Sequence, residues 1–197
     1  QLGTPITSVV SWMEILDQNP ANAEYIKEMR KDVDRLQLVV DRFSKIGSVP
    51  QLKEENIVAR IQKIVEYMQL RAPQKVEISL ESNVEVIDLL IIGPLLDWVF
   101  ENLIKNALDA MEGKGQIHIR IQEEFHRVVI DVCDTGKGIK KQDYKTVFKP
   151  GFSTKMRGWG LGLSLAKRII KEYHGGSIFV KQSEIGKGTT FRIIFRR

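Results

Sequence analysis

Residues 1–46 place apolar side chains at alternating steps of three and four, which is the spacing of a heptad seam on a helix. In the second half of this stretch, charged residues fill the positions between the apolar ones. The turn DQNPAN at residues 17–22 separates the two halves, with Pro20 near the start of the second helix. The pattern predicts a helical hairpin. Its apolar positions are Leu2, Ile6, Val9, Met13 and Leu16 in the first helix and Ile26, Met29, Val33, Leu36, Val40 and Phe43 in the second.

A hairpin of about 45 residues cannot cover both apolar seams by itself, because each helix has only one neighbour. We therefore expect residues 1–46 to form a homodimer in which two hairpins make a four-helix bundle. The alternative is that the hairpin packs on the rest of its own chain. We place the hairpin domain at residues 1–47 and a second domain at residues 48–197.

The second domain mixes helical and strand patterns. A short connector at residues 47–56 comes first, and a long helix is predicted from about Gly93 to Met111, with Pro94 in its first turn. The order predicts an α+β fold, a two-layer α/β sandwich whose largely antiparallel sheet is covered on one face by helices. Further helices are predicted at 57–68 and 164–173, and strands at 76–80, 116–122, 127–134, 177–182 and 189–195.

Composition narrows the class of protein. The chain has 197 residues, 43% hydrophobic and 28% charged, as ordinary soluble proteins have, and no apolar stretch approaches the roughly 18 residues of a membrane span. Its start lacks the features of a signal peptide. The net charge of +5 favours anionic partners only weakly. Because basic and acidic residues are interleaved, nucleic acid is not expected as a partner.

Cysteine and histidine offer little chemistry. The single cysteine, Cys133, excludes an internal disulfide and indicates a reducing compartment, and its apolar neighbours VVIDVCD predict a small core residue. The histidines His118, His126 and His174 lie at no zinc-binding spacing, and we expect all three to be structural or exposed.

Two asparagines in the long helix are candidate ligands. Asn102 and Asn106 are four residues apart and share a face, and Asp109 lies near the next turn. Amide oxygens suit a hydrated Mg²⁺ that is shared with the phosphates of a nucleotide. Exposed polar residues of an amphipathic helix also fall four apart by coincidence, so both interpretations stay open.

Two glycine-containing segments add to this. In DTGKGI, residues 134–139, Asp134 ends a strand, where it could accept a hydrogen bond from an exocyclic amine, and Gly136 and Gly138 allow a sharp turn under a flat base. In GWGLGL, residues 158–163, three glycines lead into a helix whose free N–H groups suit an anion. Either segment alone is equally a plain turn, and neither is a Walker loop or a dinucleotide fingerprint.

Taken together, these segments resemble the ordered motifs of sensor histidine kinases. ENLIKNALDA is similar to their N box, DTGKGI to their G1 box, VFKPGFSTK to their F box and GWGLGLSLAKRIIKEYHGG to their G2 box. QLGTP at the start is similar to the end of their H box. The resemblance covers nearly the whole chain and implies a Bergerat-type ATP-binding fold after a dimerisation hairpin.

The resemblance also implies ATP and Mg²⁺ as ligands. Asn106 would hold the magnesium and Asn102 would lie near the phosphates, while Asp134 would bind the adenine amine. Asn102 and Lys155 are the implied catalytic residues, and Thr4 matches a residue implicated in phosphatase activity. The remaining implied ligand-binding residues are Lys105, Asp109, Gly136, Gly138, Ile139, Ser153, Thr154, Lys155, Gly158, Gly160, Leu161, Gly162 and Leu163.

The implied activity is transfer of the γ-phosphate of ATP to a histidine, followed by relay to an aspartate in the receiver domain of a response regulator. That histidine is expected just before Gln1, so the chain as written is not expected to phosphorylate itself. Gln1 also replaces an acid common in the family, which weakens general-base help there. The implied location is cytoplasmic, with any membrane attachment through a sensor region that the chain does not contain.

Two other functions stay open: an ATPase of the same fold, and a nucleotide-binding scaffold without kinase activity. The ATPase relatives resemble one another in placing a glutamate base four residues before the N-box asparagine. Here that position is Asn102, and Glu101 lies about 140° around the helix from Asn106. An amide at this position argues against activation of water.

Overall fold

The computed structural model describes residues 51–153 and 160–196, together with residues 9, 10, 13, 14, 16, 23, 26, 29, 30 and 33. The chain divides into two compact units, Gln1–Pro50 and Gln51–Arg197.

The described residues of the first unit are all helical. Met13, Ile26 and Val33 are buried together and Val10 packs against them, so both predicted helices contribute to one apolar cluster. Three other apolar positions of the predicted seams stay exposed in this single chain: Val9, Leu16 and Met29. The turn at 17–22 and the seam residues Leu2, Ile6, Leu36, Val40 and Phe43 lie outside the described residues.

The second unit has seven strands: β1 Lys53–Asn56, β2 Lys75–Ser82, β3 Asp88–Ile91, β4 Lys114–Glu124, β5 Arg127–Asp134, β6 Ser177–Glu184 and β7 Gly188–Arg196. Five of them form one sheet in the order β2-β4-β5-β7-β6, in which only the β2–β4 pair is parallel. The long helix lies between β3 and β4 in the chain, and β4 then pairs beside β2. The predicted mixed fold with a largely antiparallel sheet is confirmed.

Helices cover one face of this sheet. The helices are α1 Ile57–Gln69, α2 Gly93–Met111 and α3 Gly162–Arg168, with short 3-10 turns at Lys141–Asp143 and Thr146–Phe148. Every second residue of the central strands points at the helices and is buried, which is the period-2 pattern that predicted them. Among the described residues, no helix is long and apolar enough to span a membrane. The strand side chains of this core include Ile117, Ile119, Ile121, Val128, Ile130 and Val132.

The opposite face of the sheet carries polar ladders. Asp131 of β5 is only 4% exposed, and its carboxylate accepts hydrogen bonds from Arg192 at 2.7 Å and from Lys181 at 2.9 Å. Burial raises the pKa of Asp131, but the two cations outweigh it, and the pKa lies below its ordinary value. This face is therefore held by charge pairs across strands.

The prediction of a connector over residues 47–56 is wrong for its last part, Lys53–Asn56, which is strand β1. Lys53–Asn56 pairs with Asp88–Ile91 as a separate two-stranded antiparallel sheet. The sequence KEEN has no apolar alternation, so only its backbone pairing makes it a strand. Asn56 then ends the strand and caps α1, because its side-chain oxygen accepts the N–H groups of Val58 and Ala59.

The helix predicted from residue 164 begins two residues earlier, at Gly162, and changes character before it ends. Residues Ile169–Tyr173 form a π-helix that continues α3 directly. Over five residues, a π-helical turn and an α-helical turn give nearly the same apolar periodicity. The sequence pattern therefore could not distinguish the two kinds of turn.

Candidate nucleotide-binding site

Asn102 lies near the middle of α2 and has an unusual environment. Its side-chain Nδ2 is buried and has no hydrogen-bond partner within the part of the chain that the structure describes. A buried amide donor without a partner costs free energy, about 1–3 kcal/mol, unless a ligand satisfies it. The arrangement therefore fits a ligand that brings acceptor oxygens.

Gly162 at the start of α3 lies directly against this amide. A Cβ built on Gly162 would come within 3.0 Å of the Asn102 amide oxygen, closer than real Cβ atoms come. The N-box helix and the glycine-rich segment therefore meet, as the resemblance implied. In addition, no side-chain hydrogen bond caps α3 at Leu161, so its first N–H groups are not used by a capping side chain of the described residues.

Gly160 holds the approach to this helix in a turn. It has φ of +62°, and a Cβ on it would collide with the backbone of Gly151 and Phe152. The N–H of Gly151 donates to the Gly160 carbonyl at 3.1 Å. Ser153 follows two residues after this contact, so the F-box segment and the glycine segment lie side by side.

Asp134 is at the end of β5 and is 9% exposed. Its Oδ1 accepts the Gly136 N–H at 2.8 Å. Burial raises the pKa of Asp134, and the backbone N–H groups of Gly136 and Thr189 act against that rise. A buried carboxylate at the end of a strand suits an acceptor for an uncharged amine.

The segment after Asp134 is fixed on two sides. Gly136 packs against Ala110 of α2 so closely that a Cβ would come within 3.0 Å, and the Lys137 N–H donates to the Ala110 carbonyl at 3.0 Å. On the other side, the Ile139 N–H donates to Ser183 Oγ at 2.7 Å. Gly138, with φ of +76°, lies against the Glu184 carbonyl. The G1-box segment is thereby held between α2 and the β6–β7 turn.

The α2 helix sets the distance between the Asn102 end and the Gly136 end of the candidate site. Asn102 contacts Gly162, and Ala110 contacts Gly136, eight residues further along the same helix. At 1.5 Å per residue, the two contacts are roughly 12 Å apart along the axis. This separation is enough to place the base of a nucleotide at one end and its phosphates at the other.

The other predicted residues of α2 lie close by. Asn106 is half-buried between the two contacts, and Asp109 is exposed. Lys105 is exposed and pairs with Glu101 at 3.2 Å. Leu161 is exposed and Leu163 half-buried beside Gly162, while Thr4, Thr154, Lys155 and Gly158 lie outside the described residues.

Thr189 is a candidate that the sequence analysis missed. It lies opposite Asp134 in the β5–β7 pairing, is buried, and shares a hydrogen bond of 2.9 Å with Ser183. The segment TTFRIIF predicts only a strand. The available signal was a pair of hydroxyl residues at a strand start, directly after the glycines of the β6–β7 turn, where apolar residues would be usual.

Magnesium fits this donor set only together with phosphate oxygens. Among the described residues, no group of three or more His, Cys, Asp or Glu side chains could hold a metal ion. Mg²⁺ in nucleotide sites takes one or two protein oxygens and completes its shell with phosphates and water. An amide oxygen such as that of Asn106 is sufficient for that role.

An open cleft of about 550 Å³ lies elsewhere on this unit, between β1, α1 and α2. Its walls carry Arg60, which forms ion pairs with Asp97 and Glu55. It contains none of the predicted nucleotide-binding residues.

Comparison with known proteins shows the family of this chain. Residues 93–197 match the family of histidine kinase-, DNA gyrase B-, and HSP90-like ATPases. The match covers more than half of the chain, and the chain therefore belongs to this family.

Its relatives are histidine kinases. Sporulation kinase C of Bacillus subtilis (strain 168) is 30% identical over 201 residues, which cover 98% of this chain and 46% of that protein. This chain thus spans about half the length of that relative. Among solved structures, the nucleotide-free catalytic domain of histidine kinase ThkA has a TM-score of 0.68 and 25% identity, over 74% of this chain and 95% of that one.

A longer solved structure shares the fold of nearly the whole chain. Histidine kinase ThkA in complex with response regulator protein TrrA has a TM-score of 0.69 at 23% identity. The likeness covers 98% of this chain and 57% of that chain.

Proposed function

We propose that the protein is the catalytic core of a histidine kinase, which binds ATP with Mg²⁺ between α2 and α3 and transfers the γ-phosphate to a histidine. The observation that carries this proposal is the buried Nδ2 of Asn102, which has no hydrogen-bond partner among the described residues and belongs to a side chain that packs on Gly162. A phosphate oxygen bound beside Gly162 would satisfy this donor, and none of the described residues does.

Each group has a role in this proposal. The Asp134 carboxylate accepts a hydrogen bond from the adenine amine, and Gly136 and Gly138 bring the backbone close to the base. The Asn102 amide and the first N–H groups of α3 donate to phosphate oxygens. Ser153, Thr154 and Lys155 would belong to a segment that covers the phosphates, and Gly158, Gly160 and Gly162 would hold the phosphates at the start of α3. Lys105, Asp109, Ile139, Leu161 and Leu163 line the same site.

Asn106 would hold magnesium through its amide oxygen, and the bound ion would supply neutralisation of the phosphate charge. The chain itself positions the phosphates and lowers their repulsion toward a nucleophile, which is most of what phosphoryl transfer requires from a protein. Lys155 would add a further positive charge near the transferred group.

The side chain four residues before Asn106, at position 102, decides whether phosphate is transferred or ATP is hydrolysed. An amide at Asn102 cannot take a proton from water. Glu101 is turned away from Asn106 and is paired with Lys105. A proton acceptor for water is therefore missing from these α2 positions, which favours transfer to a histidine that is already a good nucleophile.

The partners in this proposal are a second copy of the chain and a response regulator. Val9, Leu16 and Met29 are exposed apolar residues of the first unit, which supports dimerisation through residues 1–46. ThkA, whose fold is similar, forms a complex with response regulator protein TrrA. Thr4 would act in removing phosphate from that partner.

The test uses a longer chain that includes the natural residue before Gln1. With γ-labelled ATP and Mg²⁺, we expect label on the protein that is lost in acid and kept in base, and none in the matched Asn106→Ala variant. Steady phosphate release without labelled protein would favour an ATPase. Nucleotide binding with neither outcome would favour a scaffold.

A further inference from the structure

We propose that His174 is a positioning residue of the nucleotide site: its imidazole joins the start of α2 to the end of α3 and so keeps Asn102 and Gly162 in register. This inference rests on the proposed function, because it concerns the same site. Among the described hydrogen bonds and ring contacts, His174 meets none of the residues assigned to the nucleotide.

The imidazole makes one hydrogen bond to each helical segment. Its Nε2 accepts the backbone N–H of Ile92, the residue before α2, at 3.0 Å. Its Nδ1 lies 3.0 Å from the carbonyl of Ile169, where α3 becomes a π-helix. Because a backbone N–H only donates, Nε2 must be the acceptor, and Nδ1 carries the proton that it donates to Ile169.

The start of α2 and the segment that continues α3 are each hydrogen-bonded to the His174 imidazole. Ile92 cannot cap α2 with its own apolar side chain, and no side-chain cap is present there. The imidazole of His174 thus takes up an N–H at the start of α2 that would otherwise be left without a protein partner. On the other side it occupies the carbonyl of Ile169, at the first residue of the π-helix.

The ring is held in place by its surroundings. Phe195 of β7 packs edge-on, with 6.2 Å between ring centroids. The N–H of Gly176, two residues after His174, donates to the Ile170 carbonyl at 2.8 Å and fixes the chain on that side. Since β7 belongs to the central sheet, His174 connects three elements at one point.

The joint at His174 acts on the phosphate end of the nucleotide site through α2 and α3. Asn102 is ten residues from Ile92, roughly 15 Å along α2, and it meets α3 again at Gly162. Two helices that are joined at two separated points have a fixed relative orientation. Without the His174 bridge, this hydrogen-bonded joint is lost and the end of α3 is held only by packing such as that of the buried Ile169 and Ile170. The contact that shapes the phosphate end is then fixed less firmly.

The base end of the site does not depend on His174. Asp134 is set by the β5 strand, and Gly136 is set by Ala110 at the far end of α2. The loss of His174 should therefore weaken recognition of the phosphates and leave recognition of adenosine unchanged. A merely structural role would weaken both equally.

The experiment compares Kd values for a non-hydrolysable ATP analogue with Mg²⁺ and for adenosine. For His174→Leu we expect the analogue to bind about tenfold more weakly, the effect of about one lost hydrogen bond, with adenosine unchanged. His174→Gln, whose amide also offers one acceptor and one donor, should stay within about twofold of the unmodified protein. His126→Leu, at the exposed β4–β5 turn, is the matched control.

His174→Asn keeps the test decisive if the leucine variant does not fold. Its shorter amide reaches the Ile169 side of the bridge and not Ile92, so we expect the same selective loss of the analogue. Equal weakening of both ligands, or an unchanged analogue Kd in a folded His174→Leu or His174→Asn variant, overturns the inference. Absence of analogue binding by the unmodified protein would instead overturn the proposed function.

Discussion

Asp134 combines burial with a place at the end of a strand, and this makes it the sharpest test at the scale of single residues. We expect Asp134→Asn to weaken nucleotide binding by roughly 100-fold, because a hydrogen bond to a charged group is lost and an amide donor faces the adenine amine. The fold should survive, since the substitution has the same shape. Calorimetry with an ATP analogue measures the change, and an unchanged affinity would remove adenine recognition from this residue.

Asp143→Asn provides the control for that experiment. Asp143 lies in a 3-10 turn of the same surface segment and makes no contact with Asp134 in the described hydrogen bonds. Its substitution should leave nucleotide affinity unchanged.

A substitution at Gly162 gives a second prediction, in which nucleotide affinity falls while thermal stability changes little. In Gly162→Ala the new methyl group would meet the Asn102 amide, and the two groups must move apart. Alanine is a better helix residue than glycine by about 1 kcal/mol, so the loss in thermal stability should be small or absent. Nucleotide affinity should fall at least about tenfold, the effect of about one lost hydrogen bond. Thermal unfolding and calorimetry on the same sample measure both quantities.

At the scale of elements, His174 adds a pH dependence to stability. Burial lowers the pKa of His174, so the folded protein keeps the neutral ring at a pH where the unfolded chain has begun to bind a proton. Its contribution to stability is therefore present above a pH of about 6.5, the ordinary histidine pKa, and is lost as the pH falls below it. The free energy of unfolding, measured by urea titration between neutral and mildly acidic pH, should fall less steeply in His174→Gln. Parallel profiles for the two proteins would contradict this.

The elements also show which parts of the fold the sequence predicts. The bounds of α2 follow from Pro94 and a long apolar periodicity, and β5 follows from its run of β-branched residues. β1 could not be predicted, since Lys53–Asn56 becomes a strand only by pairing with β3, over thirty residues away. Long-range pairing of a polar segment leaves no local pattern in the sequence.

The candidate site divides in the same way. Asn102, Asn106 and Asp134 carry functional groups in a local pattern, and the family resemblance placed them in one site. The packing of Gly162 on Asn102 and the cross-strand position of Thr189 join segments that are far apart in the chain. Such contacts depend on tertiary packing, which residue types and spacing do not specify.

At the scale of the whole molecule, the exposed apolar residues of the first unit predict a dimer. Val9 and Leu16 are about two helical turns apart on one helix and are 41% and 45% exposed. We expect the protein to have the mass of a dimer in light scattering, and the double variant Val9→Glu, Leu16→Glu to have that of a monomer. Glu14→Lys, an exposed position on the same helix, should remain dimeric. A monomeric mass for the unmodified protein at high concentration would rule out this interface.

In the proposed nucleotide site, the α2 helix would set the length of the ligand that fits. Its contacts at Asn102 and Ala110 lie on one continuous helix, so the distance between the two ends of the site is fixed. One residue inserted between them would rotate the second contact by about 100° and carry it off the sheet side of the helix. Substitution can tune such a site gradually, whereas a change in the spacing of its ends is possible only in coarse steps, which makes this stretch of the chain intolerant of insertions and deletions.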